Sequence, residues 1–151
     1  MRVQRAFTLV ELLVVVMMLG VLATIAVPRL PLGALHRGKA EAAAAKIVTD
    51  LRLARQLAIS NAATNTKGFE LDMIGHAPYG AYEIVNKQDG QTVVSHIIDP
   101  SVACKGTSKF KFGPLGNLGD DDHHHSQLTV SADGKSVAIT VVPATGMVKC
   151  E

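Results

Sequence analysis

Residues 1–27 read MRVQRAFTLVELLVVVMMLGVLATIAV. Arg2 and Arg5 give this stretch a short basic start, and Glu11 is the only charged residue between positions 7 and 27. A helix over 7–27, at about 1.5 Å per residue, is about 31 Å long and matches the hydrocarbon core of a bilayer. Basic residues favour the cytoplasmic side, so the stretch predicts a membrane helix that leads the rest of the chain out of the cytoplasm.

Two other interpretations of this stretch stay open. A secretory signal has an apolar region of about 7–15 residues followed by a small-x-small cleavage site. Here the apolar run is longer, and the best candidate site, Thr24-Ile25-Ala26, is imperfect. The other alternative is an uncleaved membrane anchor, which gives the acidic residue inside the run no role.

Glu11 is the residue that distinguishes these interpretations. A charged side chain in a spanning helix costs about 2.5–3.5 kcal/mol at mid-bilayer and usually has a function. Glu11 lies four residues after Phe7. If the chain is cut before Phe7, the new α-amino group of a neighbouring copy could pair with this carboxylate. The simpler alternative is a carboxylate that reaches the lipid headgroups.

The basic start, the aromatic Phe7 and the acidic residue in a long apolar run resemble the leader of type IV pilins and pseudopilins. In that family the prepilin peptidase removes the leader and methylates the new N-terminus. The resemblance implies that residues 1–6 are the leader, that Ala6 precedes the cut, that Phe7 is methylated and that Glu11 guides assembly. The family usually has Gly before the cut, and Ala6 is also small. Pro28 stands where pilins commonly have a kinking proline.

A second, amphipathic helix is predicted after the apolar stretch, within residues 28–63. Pro28, Pro31 and Gly33 interrupt the pattern first, so a kink or short break is expected there. From Lys39 onward the apolar residues recur at a spacing of three to four, which is typical of a helix that buries one face. This stripe, expected to pack on a sheet, consists of Ala40, Ala44, Ile47, Leu51, Ala54 and Ala58.

Residues 64–151 predict an antiparallel β head. Asp89-Gly90 and Asp133-Gly134 are hairpin signals between runs of alternating apolar and polar residues. The expected fold class is therefore α+β, a long N-terminal helix packed on an antiparallel sheet, in the lollipop form of a pilin. The predicted strands are 69–74, 79–86, 92–98, 109–112, 127–131, 137–142 and 147–150.

Several internal segments are similar to minor pseudopilins of the GspH/FimT type. They are residues 50–59, residues 110–116, the Asp133-Gly134 hairpin and the Thr145-Gly146 turn. This resemblance implies a minor subunit of a type IV pilus or type II secretion pseudopilus. Its expected partners are other pilin subunits, the prepilin peptidase and the inner-membrane assembly platform. A major filament subunit remains an alternative, because the leader is common to both.

The expected location is the bacterial inner membrane, with a periplasmic head, and then a periplasmic or surface filament. In such an oxidising compartment Cys104 and Cys150 would form a disulfide, and the alternative is two free thiols. No nucleophile elbow, phosphate loop or spaced metal triad is present, so we expect neither an enzyme nor a cofactor.

Two further features allow binding functions. Some FimT-like proteins bind DNA in natural transformation, and the candidate contacts here are Lys105, Lys109, Lys111 and Lys149. No aromatic residue alternates with them for base stacking, so solvated strands are the simpler interpretation. An acidic and histidine-rich tract could bind a transition metal, although neighbouring residues on a loop rarely converge on one ion. The tract consists of Asp120, Asp121, Asp122, His123, His124 and His125.

Overall fold

The structure is a computed structural model that describes residues 8–26, 32–119 and 126–151. These residues form two helices and eight strands. The chain divides into two compact units, Met1–Leu32 and Gly33–Glu151. The first unit contains helix α1 (Leu9–Ala26). The second unit contains helix α2 (Leu32–Ser60), apart from its first residue, and all described strands.

Helix α1 is apolar on all sides. Every residue from Leu9 to Thr24 is exposed, with Leu9 at 79% and Leu22 at 61%. The helix lies inside the predicted range 7–27, whose two end positions are outside the described residues. Among the described residues, no helix has the combination of length and apolar character that crossing a membrane requires.

Helix α2 buries the predicted apolar stripe. All six residues of that stripe are at most 1% exposed. Four of them are alanines, which let the helix backbone approach the sheets closely. The helix ends at Ser60, where the Asn61 side-chain amide donates to the Leu57 carbonyl at 2.9 Å. The prediction of a core-facing helix is confirmed, and the expected kink at Pro28 lies outside the described residues.

The head contains two antiparallel four-stranded sheets. The first sheet has the order β3-β2-β1-β5, and the second has the order β4-β6-β7-β8. The strands of the first sheet are β1 (Phe69–Ile74), β2 (Ala81–Asn86), β3 (Thr92–Ile97) and β5 (Lys109–Phe112). The strands of the second sheet are β4 (Ala103–Gly106), β6 (Gln127–Ala132), β7 (Lys135–Val142) and β8 (Met147–Cys150).

Both predicted hairpins form. Asp133 and Gly134 have φ values of 48° and 78° between β6 and β7, which is the conformation of a tight primed turn. Gly90, at φ 74°, lies in the slightly longer loop between β2 and β3. Together with the antiparallel sheets and the packed helix, these hairpins confirm the α+β prediction.

One strand escaped the sequence analysis, and another begins later than predicted. Strand β4 reads Ala-Cys-Lys-Gly and has no alternation of large apolar residues to mark it. Tyr79 was predicted inside a strand but lies before β2, between Pro78 and Gly80. Its amide donates to the Cys104 carbonyl at 3.0 Å and its hydroxyl to the Gly106 carbonyl at 2.9 Å. Tyr79, which lies just before β2 of the first sheet, is therefore hydrogen-bonded to β4, an edge strand of the second sheet.

A buried polar cluster joins α2 to the first sheet. Asp50 is an acidic residue that is only 7% exposed. Its carboxylate accepts a hydrogen bond from the Tyr82 hydroxyl at 2.5 Å and lies 3.5 Å from Nε2 of His96. Burial, and then the bond to Asp50, raise the pKa of Tyr82 far above its ordinary value of 10.0. Tyr82 therefore stays protonated and remains a donor.

We predict that Tyr82→Phe lowers the free energy of unfolding by about 1–3 kcal/mol at neutral pH, because Asp50 loses its closest donor. Because the pKa of Tyr82 is raised in the fold, the protonated hydroxyl contributes fully to the free energy of unfolding below about pH 10. This contribution is lost as the pH rises above that value. Urea unfolding of the full chain in detergent at pH 7 and at about pH 10.5 measures both effects. An unchanged free energy at pH 7, or the same alkaline decline in the variant, would contradict the prediction.

Arg55 of α2 holds two loops of the head together. Its Nε donates to the carbonyls of Gly116 and Thr145, each at 3.1 Å. Gly116 and Gly146 have φ values of +77° and +62° in these loops. A Cβ on Gly146 would lie 1.9 Å from the Gly116 carbonyl oxygen, so this junction requires glycine.

We predict that Gly146→Ala destabilises the head by more than about 2 kcal/mol, since backbone strain and a clash with a carbonyl add together. Gly134→Ala is the matched control, because Gly134 has φ +78° and nothing lies within 4 Å of an added Cβ. It should show only the strain of about 1–2 kcal/mol. Equal losses for the two variants in urea unfolding would rule out the close approach.

Candidate assembly site

Thr8 and Glu11 form the start of α1. The Glu11 amide donates to Oγ1 of Thr8 at 3.2 Å, and the Leu12 amide donates to the Thr8 carbonyl at 3.1 Å. Thr8 is therefore the N-cap, and Glu11 lies at the third helical position. This role of Thr8 was not predicted, although Thr-x-x-Glu before an apolar run is the signature of a capping box.

Glu11 is placed where a helix favours an acidic side chain. It lies in the first turn of α1, where the free amides carry positive partial charge and stabilise a carboxylate by about 0.3–1 kcal/mol. The residue is exposed, and no basic side chain among the described residues pairs with it. Its carboxylate is therefore open to a cation from outside the described chain.

The surface of α1 around this carboxylate is continuous and apolar. Met17 and Met18 are 67% and 66% exposed, and an added Cβ on Gly20 would meet nothing within 4 Å. Water does not favour so much apolar surface on one element. The predicted processing residues Ala6 and Phe7, which precede this helix, lie outside the described residues.

The prediction of a disulfide between Cys104 and Cys150 is wrong, because both are free thiols in the structure. Cys104 is buried on β4, and Cys150 is exposed on β8. These strands are the two edges of the second sheet, so three strand spacings, about 14 Å, separate them. A disulfide needs Cα atoms within about 7 Å. Burial raises the pKa of the Cys104 thiol to about 11, which also makes it unreactive.

The four lysines predicted as DNA contacts lie on different surfaces. Two are on the outer face of the first sheet, and two are on the opposite edge strands of the second sheet. Lys109 pairs with Asp72 at 2.9 Å, and this carboxylate raises the pKa of Lys109. The structure thus does not bring the lysines together into one basic patch. They are Lys109 and Lys111 on β5, Lys105 on β4 and Lys149 on β8.

The predicted metal-binding tract, residues 120–125, lies outside the described residues. In the part of the chain that the structure describes, no group of three or more His, Cys, Asp or Glu side chains is arranged for a metal ion. His96, predicted as a strand residue, is on β3 beside Asp50 and Tyr82.

The segments that resemble GspH/FimT proteins have packing roles in the head. Phe110 and Phe112 are fully buried on β5, and Leu51 is fully buried on α2. The loops at Gly116 and Gly146 meet at Arg55. These residues shape the head by packing and by closing its loops.

Comparisons with known proteins give matches for the N-terminal stretch and for the fold. Residues 1–27 match the prokaryotic N-terminal methylation motif. The fold is similar to a crystal structure of the type IV minor pilin FimU from Pseudomonas aeruginosa strain PAO1. The TM-score is 0.61 at 15% identity, over 76% of this chain and 90% of FimU. The chain thus carries the N-terminal methylation motif and has the fold of a type IV pilin.

A second crystal form of FimU is similar to this chain with a TM-score of 0.59 at 15% identity, over 74% of this chain and 91% of that chain. No curated protein sequence matches this one significantly. The predicted resemblance to type IV pilins is confirmed at the level of the motif and the fold. The assignment to the GspH/FimT branch stays a prediction.

Proposed function

We propose that this pilin-like protein is a minor subunit of a type IV pilus-like filament. The observation that carries the proposal is α1, whose described side chains are all exposed and apolar except for a few small or polar ones and Glu11. Full burial of one Val, Leu or Met side chain is worth about 1.5–3 kcal/mol. Packing many such helices side by side in a filament core buries this surface and supplies the driving force for assembly.

The N-terminal methylation motif supports a processing step before assembly. In our proposal the prepilin peptidase removes residues 1–6 after Ala6 and methylates the amino group of Phe7. Segment 7–27 holds the subunit in the inner membrane, with the head in the periplasm. The assembly platform then moves it into the filament.

Glu11 sets the axial position of the entering subunit. Its carboxylate forms an ion pair with the charged α-amine of Phe7 from a neighbouring subunit. The position of this ion pair fixes the axial offset between the two subunits. Removal of both charges from water costs several kcal/mol unless they pair closely, which makes a wrong register unfavourable. The exposed position of Glu11 in the first turn of α1 suits this contact.

The likeness of the fold to a minor pilin favours a minor pilus subunit over a major one. A type II secretion pseudopilus has the same mechanism and is distinguished by the substrate that the machine moves. DNA binding is the weaker alternative, because the candidate lysines lie on separate faces and one of them is paired with Asp72.

We predict that Glu11→Gln reduces incorporation into filaments by at least about tenfold, as expected when a charge-assisted pair is lost. Gln can still complete the capping box, so α1 should keep its start. The amounts in sheared filaments and in membranes, compared by immunoblot, measure the effect.

Glu41→Gln is the matched control. Glu41 is an exposed acid on α2 whose ion pair with Lys135 contributes at most about 1 kcal/mol. It should assemble normally. If Glu11→Gln assembled as well as Glu41→Gln, the proposed role of Glu11 would be wrong.

A further inference from the structure

A groove lies between α2 and the edge of the first sheet, which is formed by β3. Its volume is about 280 Å³. Small-molecule sites usually have about 300–1,000 Å³, so this groove has room for a slender ligand only. The floor consists of side chains that are at most 6% exposed and come from α2, β2 and the loop between β3 and β4. They are Ile47, Tyr82, Ile98 and Val102.

The walls of the groove are apolar as well. Ala42 and Ala43 form the α2 side, and the first of them is exposed while the second is half-buried. Ile97 of β3 lies on the opposite side and is 87% exposed. The two alanines leave space that larger helical residues would fill. An apolar chain in the groove would therefore be removed from water on several sides, which is favourable.

Lys39 lies at one end of the groove, and its charge is balanced there. Its ammonium group donates to the Ser101 hydroxyl at 3.1 Å and lies 3.6 Å from a carboxylate oxygen of Asp99. Asp99 itself also lines the groove. This end therefore combines one positive and one negative charge that are already paired with each other.

Lys46 provides an unbalanced positive charge at the groove. It follows Lys39 by seven residues, which is about two helical turns or about 10 Å along α2. Lys46 is exposed, and no acidic side chain among the described residues forms an ion pair with it. Asp50 is one turn further along α2, but its carboxylate is buried and accepts from Tyr82. The groove thus has one cationic end and one nearly neutral end.

We infer that this groove binds a single-chain carboxylate of the fatty-acid class. The carboxylate pairs with Lys46, and the acyl chain lies along Ala42 and Ala43 toward the Lys39 end. A cationic ligand is disfavoured by Lys46, and an inorganic anion would leave the apolar floor in contact with water. This inference goes beyond the proposed function, because it concerns a small-molecule site on the head and not the packing of α1.

Protection of an introduced thiol measures binding in the groove itself. The full chain in a neutral maltoside detergent carries Cys150→Ser, which leaves the buried Cys104, and Ala43→Cys adds a thiol to the α2 wall. Octanoate at about ten times its dissociation constant should slow alkylation of this thiol by iodoacetamide about tenfold, by mass action. Ala45→Cys is the matched control, because Ala45 is an exposed alanine of α2 that does not line the groove.

A series of ligands tests the apolar part of the site. From butyrate to octanoate, the concentration that gives half-protection should fall about two- to fourfold for each added CH₂, as expected when part or all of that group leaves water. Octylammonium has the same chain with the opposite charge. It should bind at least about fivefold more weakly than octanoate, since Lys46 repels it.

Lys46→Gln tests the charged part. It should weaken octanoate binding about fivefold, as expected when an exposed ion pair is lost, and leave octanol binding unchanged. An unfolded or distorted head would weaken both ligands, so the difference between them reports the charge alone. Lys67→Gln is the control, because Lys67 is an exposed lysine outside the groove and should not affect either ligand.

Several results would overturn the inference. These are no protection of the Ala43→Cys thiol by octanoate, equal protection of the Ala45→Cys thiol, affinity that does not depend on chain length, or equal losses of octanoate and octanol binding in Lys46→Gln. Protection by phosphatidylglycerol in mixed micelles without protection by octanoate would indicate a lipid surface at the groove, and it would also overturn the inference. None of these measurements requires filaments, so their outcome is independent of the role of Glu11.

Discussion

The exposed apolar surface of α1 is the constraint on which the behaviour of the whole chain depends. Helices that are apolar on every side are stable only where other apolar groups surround them. In the single chain no described residue of α1 up to Thr24 is buried. The free energy gained by covering this surface is on the order of 10 kcal/mol or more, so α1 is stable only where lipid or other apolar helices surround it. In the proposed filament, the carboxylate of Glu11 in the first turn would decide which of many equally apolar axial positions is favourable.

The head has a hydrophobic core of its own. Its core lies between α2 and the two sheets, and it contains fully buried residues from all three, such as Leu51, Leu71 and Ile139. Close approach is possible because α2 presents alanines and because Gly116 and Gly146 have no side chains at the junction with Arg55. The buried pair of Asp50 and Tyr82 adds specificity, since it fixes one position of α2 over the first sheet.

Local patterns in the sequence predicted most of the elements. The apolar spacing after Lys39 gave the buried face of α2, and the Asp-Gly pairs gave both hairpins, because each signal lies within a few consecutive residues. The same reasoning failed where a partner is distant along the chain. Asp50 is buried because Tyr82 and His96 come to it from two strands, and Cys104 is separated from Cys150 by the order of four strands. The N-cap role of Thr8 was available from the sequence through the Thr-x-x-Glu pattern.

The most direct test of the account is the intact mass and the N-terminal sequence of the mature protein taken from assembled filaments. We expect a chain that begins at Phe7, is heavier by one methyl group and keeps the whole apolar stretch. A mature chain that begins at Val27 and is found free in solution would contradict it, because the surface that drives assembly would be absent.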